Sequence, residues 1–356
     1  MKIFRYPSRS EWPSLLARPV MDSANLEQTV NEVLKAVKEN GDLALKQYSL
    51  RFDGVSPDDF AVSQSEIEKA AFQIPEELKS AIRQAADNIR RFHEAQQQLP
   101  EPIETMPGVR CWRKSVGIEK VGLYIPGGTA PLFSTLLMLG IPARIAGCRE
   151  IILCSPPDKA GQLHPAILYA ASIVGVTKIF KLGGVQAIGA MSYGTESVPK
   201  VYKIFGPGNQ YVTCAKQLIQ RNGVAIDMPA GPSEVAVFAD ASANPAFVAA
   251  DLLSQAEHGA DSQVLLVTTD ENLILKVEQQ LAHQLAQLPR ADLAAKALVN
   301  STMVLMKDAG SAMELLNEYA AEHLILACEN AESLAAGVIN AGSVFIGNYT
   351  PESAGD

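Results

Sequence analysis

The sequence predicts an α/β protein with two parallel-sheet domains of similar, Rossmann-like layout. Short apolar runs are each followed by a glycine-rich or polar turn and then by a stretch with helical spacing, and this series occurs twice. The length of 356 residues also exceeds what one ordinary hydrophobic core needs. Two sheet domains with helices on their faces account for both observations.

The first hundred residues predict helices rather than strands. Apolar residues recur at helical spacing ahead of Asn40-Gly41, namely Leu26, Val30, Val33, Leu34 and Val37. Ser63 and Glu66 form a capping box, and Pro75 begins a further helix. We expect these N-terminal helices to pack on the second sheet domain.

The first strand series begins near residue 117. Its predicted strands are 121–125, 151–154, 178–182 and 202–205. Glycine turns follow three of them, at Gly127-Gly128, Gly183-Gly184 and Gly206-Pro207-Gly208. This repetition predicts a parallel, doubly wound sheet. The turns do not spell GxGxxG, so a nucleotide would bind in a nonstandard way, and a tight connection without a ligand is an equal alternative at each turn.

The second strand series sets the domain boundaries. Its predicted strands are 234–238, 264–267, 303–306, 324–327 and 343–346, separated by helices that begin near Pro245, Glu271, Ser311 and Ala331. The prediction is a discontinuous domain of residues 1–118 and 234–356, with residues 119–233 forming an inserted domain.

Composition excludes several classes of function. The net charge is −9, and the sequence has no Lys/Arg-rich run that could follow a phosphate backbone, which argues against nucleic acid as a partner. Neither a membrane-spanning apolar stretch nor a signal peptide's apolar core is present, which predicts a cytoplasmic protein without a membrane partner. The five cysteines form no CxxC pair, so a metal would need His, Asp, Glu or Gln as ligands.

Three segments could carry chemistry. Gln255 and His258 are three positions apart, which predicts one helix face and two arms of a metal site, although a lone His there more often caps a helix end. Glu322-His323 join a helix to a buried strand at a sheet edge, where open α/β folds bind ligands, or they form a polar pair exposed to water. The polar loop 348–356 carries carboxylates that could complete the metal site, or it is only a turn.

Long motifs connect these segments to a known family. In sequence order they are Val121-Gly122-Leu123-Tyr124-Ile125-Pro126-Gly127-Gly128, Phe205-Gly206-Pro207-Gly208-Asn209, Asp227-Met228-Pro229-Ala230-Gly231-Pro232-Ser233-Glu234, Ser254-Gln255-Ala256-Glu257-His258-Gly259, Ala321-Glu322-His323-Leu324 and Pro351-Glu352-Ser353-Ala354-Gly355-Asp356. From about residue 25 onward the chain resembles the histidinol dehydrogenases, which oxidise L-histidinol through L-histidinaldehyde to L-histidine with two NAD.

The resemblance implies a role for each site residue. Zinc would be bound by Gln255, His258 and Asp356. His323 would take the alcohol proton, and Glu322 would activate the water that attacks the aldehyde. The substrate would contact Ser233, Gln255, His258, His323 and Asp356, and NAD would contact Tyr124, Gln186 and Asn209. The resemblance assigns NAD to the inserted domain, and zinc and substrate to the discontinuous one.

The resemblance also implies a homodimer. In the family a C-terminal tail continues beyond Asp356, carries a substrate-binding Glu and a zinc-ligand His, and reaches the partner subunit. A chain that ends at Asp356 would have a three-ligand, more exposed zinc site and weak or no activity. Two alternatives stay open: an aldehyde dehydrogenase with Cys111, Cys154 or Cys214 as nucleophile, and a noncatalytic homologue that binds an imidazole ligand.

Overall fold

The computed structural model describes residues 1–19, 24–57, 59–98, 100–127, 131–229 and 233–355. These residues divide into two compact units. We refer to residues 1–21 with 231–355 as the terminal unit, and to residues 22–230 as the inserted unit.

The terminal unit begins with β1 (Lys2–Arg5) and α1 (Trp12–Leu15). The inserted unit follows with three helices, α2 (Ala24–Phe52), α3 (Gln64–Gln73) and α4 (Glu76–Glu94), and an antiparallel pair of strands, β2 (Ile103–Met106) and β3 (Val109–Cys111). Its sheet and the helices between the strands are β4 (Lys120–Tyr124), α5 (Phe133–Ile145), β5 (Glu150–Ser155), α6 (Pro165–Val174), β6 (Lys178–Lys181), α7 (Gly184–Tyr193), β7 (Lys203–Phe205), α8 (Gln210–Gln220) and β8 (Ala225–Ile226).

The sheet of the inserted unit is parallel and doubly wound, as predicted. In the described residues its strand order is β6-β5-β4-β7-β8, and every neighbouring pair is parallel. The order reverses direction between β4 and β7. In sheets of this kind, ligands bind beyond the carboxyl ends of the strands at such a reversal.

The placement of the N-terminal helices on the second sheet domain was wrong for α2, α3 and α4. Val30, Val33 and Leu34 of α2 are buried in one apolar cluster with residues of β5 and α7. The glycine in α7 explains why α2 packs there, because it allows the two helices to approach closely. A Cβ at Gly189 of α7 would lie 3.3 Å from the Leu34 side chain. Side chains of α3 and α4 are buried in a further cluster with β4, β5 and α5, so these helices belong to the inserted unit.

The terminal unit resumes with the second strand series. Its elements are β9 (Glu234–Ala239), α9 (Pro245–Ala256), β10 (Gln263–Thr268), α10 (Glu271–Leu285), α11 (Ala291–Val299), β11 (Thr302–Leu305), α12 (Ala309–Tyr319), β12 (His323–Ala327), α13 (Ala331–Ala335), β13 (Ser343–Ile346) and a short 3₁₀ helix, Glu352–Gly355. The strand order is β1-β11-β10-β9-β12-β13, again parallel throughout the described residues. The two sheets therefore have the similar layout that the sequence predicts.

Each of the four clusters of buried apolar side chains lies within one unit. Two belong to the inserted unit and two to the terminal unit, where Trp12, Leu15 and Leu16 pack with β9 and β11. The short helix α1 and Leu16 after it therefore do pack on the second sheet. None of the described helices is both long and apolar enough to cross a membrane.

Candidate active site

Two parallel strands place Glu322 and His323. β12 begins at His323, which lies opposite Val235 of β9, so both residues lie where β9 and β12 begin. The expectation of a ligand site at a sheet edge needs a correction here. Open α/β folds use the carboxyl ends of the strands, whereas this pair lies at the amino ends. The reason is local, because Glu322 and His323 precede the apolar run that forms β12.

Helix α9 brings Gln255 to the same edge. The helix returns from the carboxyl end of β9, so its last turn lies near the strand starts, and Gln255 in that turn is only 2 % exposed. The prediction of one helix face was wrong for His258, because α9 ends at Ala256. His258 follows in a turn, and its Nδ1 lies 3.3 Å from Oγ of Ser233. The turn, rather than helical spacing, aims the imidazole at Ser233.

Glu352 connects these groups. Its Oε1 accepts a hydrogen bond of 2.6 Å from Nε2 of Gln255 and lies 4.0 Å from Nε2 of His323. The backbone N–H of Glu352 donates to Oδ1 of Asp251 at 3.1 Å, and burial raises the pKa of Asp251 to about 6. The sequence indicated only that the loop 348–356 carries carboxylates. A carboxylate that follows the last strand was the available signal for Glu352.

The hydrogen bonds of His323 define its chemistry. Its Nδ1 lies 3.1 Å from the backbone oxygen of Glu234, and since a carbonyl only accepts, Nδ1 carries the proton. In the uncharged form of the ring, Nε2 then has the lone pair and can act as a base. Oε2 of Glu322 lies 3.8 Å from Nδ1 of His323 and accepts from the Glu234 backbone N–H at 3.3 Å. The Glu322 side chain is 55 % exposed, so water can reach its carboxylate.

A half-buried ion pair joins Arg18 to Glu234, the residue whose main chain contacts His323 and Glu322. The guanidinium of Arg18 contacts both carboxylate oxygens of Glu234, and Nη2 also donates to the backbone oxygen of Tyr319 at 2.8 Å. The hydrogen bond to Glu234 raises the pKa of Arg18. The guanidinium also stacks over the Tyr319 ring, 4.8 Å from its centroid. Nothing in the local sequence around Arg18 or Glu234 predicts this contact.

The residues expected to contact NAD lie at the carboxyl edge of the inserted sheet. Tyr124 ends β4, its hydroxyl accepts from the Gly184 N–H at 3.0 Å, and burial raises its pKa to about 12. Gln186 is buried and donates to Asp53 at 3.3 Å, while its Oε1 has no hydrogen-bond partner among the described residues. Asn209 follows β7 and caps α8. The three residues therefore share the edge at which such sheets bind ligands.

Comparisons with known proteins agree on one family. The family model for histidinol dehydrogenase matches residues 16–356. The histidinol dehydrogenase of Bacteroides thetaiotaomicron is 61% identical over 356 residues, covering 100% of this chain and 83% of that relative. The Escherichia coli O157:H7 enzyme is 53% identical over 345 residues, covering 96% of this chain and 79% of that relative.

A solved structure extends the agreement to the fold. The crystal structure of histidinol dehydrogenase from Elizabethkingia anophelis matches with a TM-score of 0.97 and 53% identity, covering 100% of this chain and 82% of that one. This chain belongs to the histidinol dehydrogenase family. It is by that membership an NAD-dependent oxidoreductase, and the resemblance inferred from the motifs is confirmed.

Of the three zinc ligands expected in this chain of the histidinol dehydrogenase family, Gln255 and His258 are among the described residues. Because Gln255 uses its amide N–H for Glu352, its carbonyl oxygen is the atom left for a cation, and His258 retains Nε2. Carboxamide oxygen and imidazole nitrogen, together with a carboxylate, are a donor set that zinc accepts, so the residues fit the metal. Asp356 lies outside the described residues. Among the described His, Cys, Asp and Glu side chains, no three group closely enough to bind a metal by themselves.

Proposed function

We propose that this chain is a zinc-dependent L-histidinol dehydrogenase that produces L-histidine through L-histidinaldehyde with two NAD. The family supports the enzyme class and the role in histidine biosynthesis. The observation that carries the finer assignment is the hydrogen bond from Nδ1 of His323 to the Glu234 carbonyl. In the uncharged ring it leaves the lone pair at Nε2, which lies 4.0 Å from the Glu352 oxygen that accepts from Gln255.

The binding residues orient the substrate before any proton moves. Gln255, His258 and Asp356 would hold zinc, which when bound would fix the imidazole and amino nitrogens of the substrate, and NAD would accept a hydride in each oxidation. Ser233 shares the substrate site with His258, which its hydroxyl approaches at 3.3 Å. Tyr124, Gln186 and Asn209 would contact NAD.

Proton transfer then divides between two side chains. In the first oxidation, Nε2 of His323 takes the hydroxyl proton as a hydride leaves the carbinol carbon, which gives the aldehyde. In the second, Glu322 removes a proton from the water that attacks the aldehyde, and loss of a second hydride to NAD gives the carboxylic acid, which then ionises. The exposed carboxylate of Glu322 suits it to act on water.

The deciding experiment follows NADH production from L-histidinol with added zinc. The proposal predicts two NADH for each L-histidinol, and strong loss in His323→Gln. Binding of L-histidinol without any NADH production would favour a noncatalytic imidazole-binding homologue instead. A homodimer in the cytoplasm is the remaining part of the proposal, and sedimentation equilibrium of the purified chain tests the dimer.

A further inference from the structure

The main chain of one residue contacts both proposed proton-transfer groups. The backbone carbonyl of Glu234 accepts from Nδ1 of His323 at 3.1 Å, and its backbone N–H donates to Oε2 of Glu322 at 3.3 Å. A displacement of this single peptide segment would therefore change a hydrogen bond of both side chains. Glu234 is also the first residue of β9, so only the residues that follow it along the chain belong to the strand.

The side chain of Glu234 fixes that segment through Arg18. The Glu234 side chain is 6 % exposed, and a carboxylate so buried needs a paired cation and hydrogen bonds. Arg18 supplies both with a two-pronged contact, whose planar geometry restricts how the carboxylate can rotate. The third contact, to the Tyr319 carbonyl at 2.8 Å, and the stacking over the Tyr319 ring hold the guanidinium itself.

A buried glutamine closes the arrangement. Gln263 pairs with Glu234 across β9 and β10, and its Nε2 donates at 3.0 Å to the backbone oxygen of Ala17, next to Arg18. Its Oε1 accepts from the Tyr319 hydroxyl at 3.0 Å. The guanidinium, the carboxylate and the start of β9 are therefore held from several directions.

We infer that Arg18 and Glu234 are positioning residues for this site: their ion pair holds the Glu234 peptide groups so that His323 keeps its proton on Nδ1 and Glu322 stays beside it. The inference rests on the proposed function. Neither residue is proposed to contact the substrate. Each acts through the main chain of Glu234, in the way that partners of a histidine fix its tautomer and ring orientation.

The test compares Arg18→Met with the wild-type chain in steady-state kinetics. We expect kcat on L-histidinol to fall about 10- to 100-fold while KM changes less than about 3-fold, because the base loses its orientation while the proposed metal ligands Gln255 and His258 keep their contacts with Glu352 and Ser233. Arg18→Lys, which retains the charge but has its donors on a single nitrogen, should recover part of the loss. Arg5→Met is the matched control, since Arg5 forms an exposed ion pair with Glu271 in the same unit, and its kcat should stay unchanged.

A second readout separates positioning from a merely structural role. Two-bond ¹H–¹⁵N spectra report which ring nitrogen is protonated, and His323→Gln identifies the signals of His323. We expect the Nδ1–H form in the wild type and in Arg5→Met, and a mixture of both tautomers in Arg18→Met. Unchanged kcat and an unchanged tautomer in folded Arg18→Met would overturn the inference.

The outcome stays interpretable if a variant or the proposed function fails. Should Arg18→Met not fold, Glu234→Gln decides by the same two readouts, because it preserves size and hydrogen bonding but removes the charge. Should the wild type produce no NADH from L-histidinol, the proposed function fails, while the tautomer of His323 in the variants still decides whether the ion pair positions it.

Discussion

At the scale of single residues, His323 and Glu322 differ in what surrounds them. His323 is fixed by a hydrogen bond at Nδ1 and is 21 % exposed, whereas the carboxylate of Glu322 is 55 % exposed. A fixed ring suits proton removal from a bound alcohol. An exposed carboxylate suits the activation of water.

This difference predicts that substitutions split the two oxidations. In Glu322→Gln, oxidation of the aldehyde should fall by about 10²-fold or more, while oxidation of the alcohol changes much less, because general-base catalysis of this size is lost only at the water step. NADH formed per L-histidinol should then fall from two toward one, with aldehyde accumulating. His323→Gln should slow the alcohol step instead. Equal slowing of both steps by Glu322→Gln would contradict these roles.

The cysteines provide a test against an aldehyde dehydrogenase mechanism. Cys154 is buried, and burial raises its pKa; burial and the nearby Glu27 raise the pKa of Cys214. A raised pKa disfavours the thiolate that such a mechanism needs. We expect alkylation of the exposed Cys111 with iodoacetamide, and the change Cys111→Ser, to leave NADH production intact. Loss of activity in proportion to alkylation of one thiol would contradict this expectation.

Asp53 makes stability depend on pH. Burial raises its pKa from an ordinary 3.8 to about 6, although the hydrogen bond from Gln186 acts in the opposite direction. The folded state therefore keeps this proton longer than the unfolded state. The stabilising contribution of the protonated Asp53 side chain is fully present below pH 3.8, and it is lost as the pH rises through about 6. Melting temperatures of wild type and Asp53→Asn should accordingly converge or cross in favour of the variant between pH 4 and 7, and parallel curves would contradict the shift.

At the scale of elements, the packing of α2 makes a matched prediction. Leu45 is 0% exposed in a cluster of the inserted unit, whereas Leu43 on the same helix is 72% exposed. Leu45→Ala should lower the free energy of unfolding by about 2–5 kcal/mol, and Leu43→Ala should change it by less than about 0.5 kcal/mol. Urea denaturation of both variants measures the difference. Similar losses would contradict the placement of Leu45 in the core.

Local patterns predicted most of the elements, and contacts between distant segments were not predictable. Apolar runs followed by glycine turns identified the β4 to β7 series and the β9 to β13 series, because strand, turn and helix preferences act within a few residues. The strand β1 was missed, because four residues at the chain start carry no periodicity. The antiparallel pair β2 and β3 was missed as well, since all of its residues are exposed.

The candidate site shows the same division. The motifs in the sequence identified Glu322, His323, Gln255 and His258 as site residues. Which edge of the sheet they occupy, the amino ends of the strands, depended on the direction of β12. That direction was available, since the proposed acid–base residues Glu322 and His323 both precede the strand that the sequence predicts at 324–327. The contact of Arg18 with Glu234 joins residues far apart in the chain, and no pattern in either segment predicts it.

At the scale of the whole molecule, the two units have separate cores and separate proposed ligands. Two clusters of buried apolar side chains lie in each unit, so each has the interior that independent folding requires. We propose that zinc and substrate bind to the terminal unit, and NAD to the inserted unit. Ligand binding stabilises the state that binds it, so the two ligands should act on different unfolding transitions.

Calorimetry tests this assignment. We expect two unfolding transitions, of which Leu45→Ala lowers the one that belongs to the inserted unit. Zinc at 100 times its dissociation constant should stabilise the other transition by about 2.7 kcal/mol, and chelation should remove that gain. NAD should raise the transition that Leu45→Ala lowers. His258→Ala should abolish the response to zinc without changing the response to NAD. If zinc instead stabilised the transition that Leu45→Ala lowers, the metal ligands would lie in the inserted unit, and the assignment would be wrong.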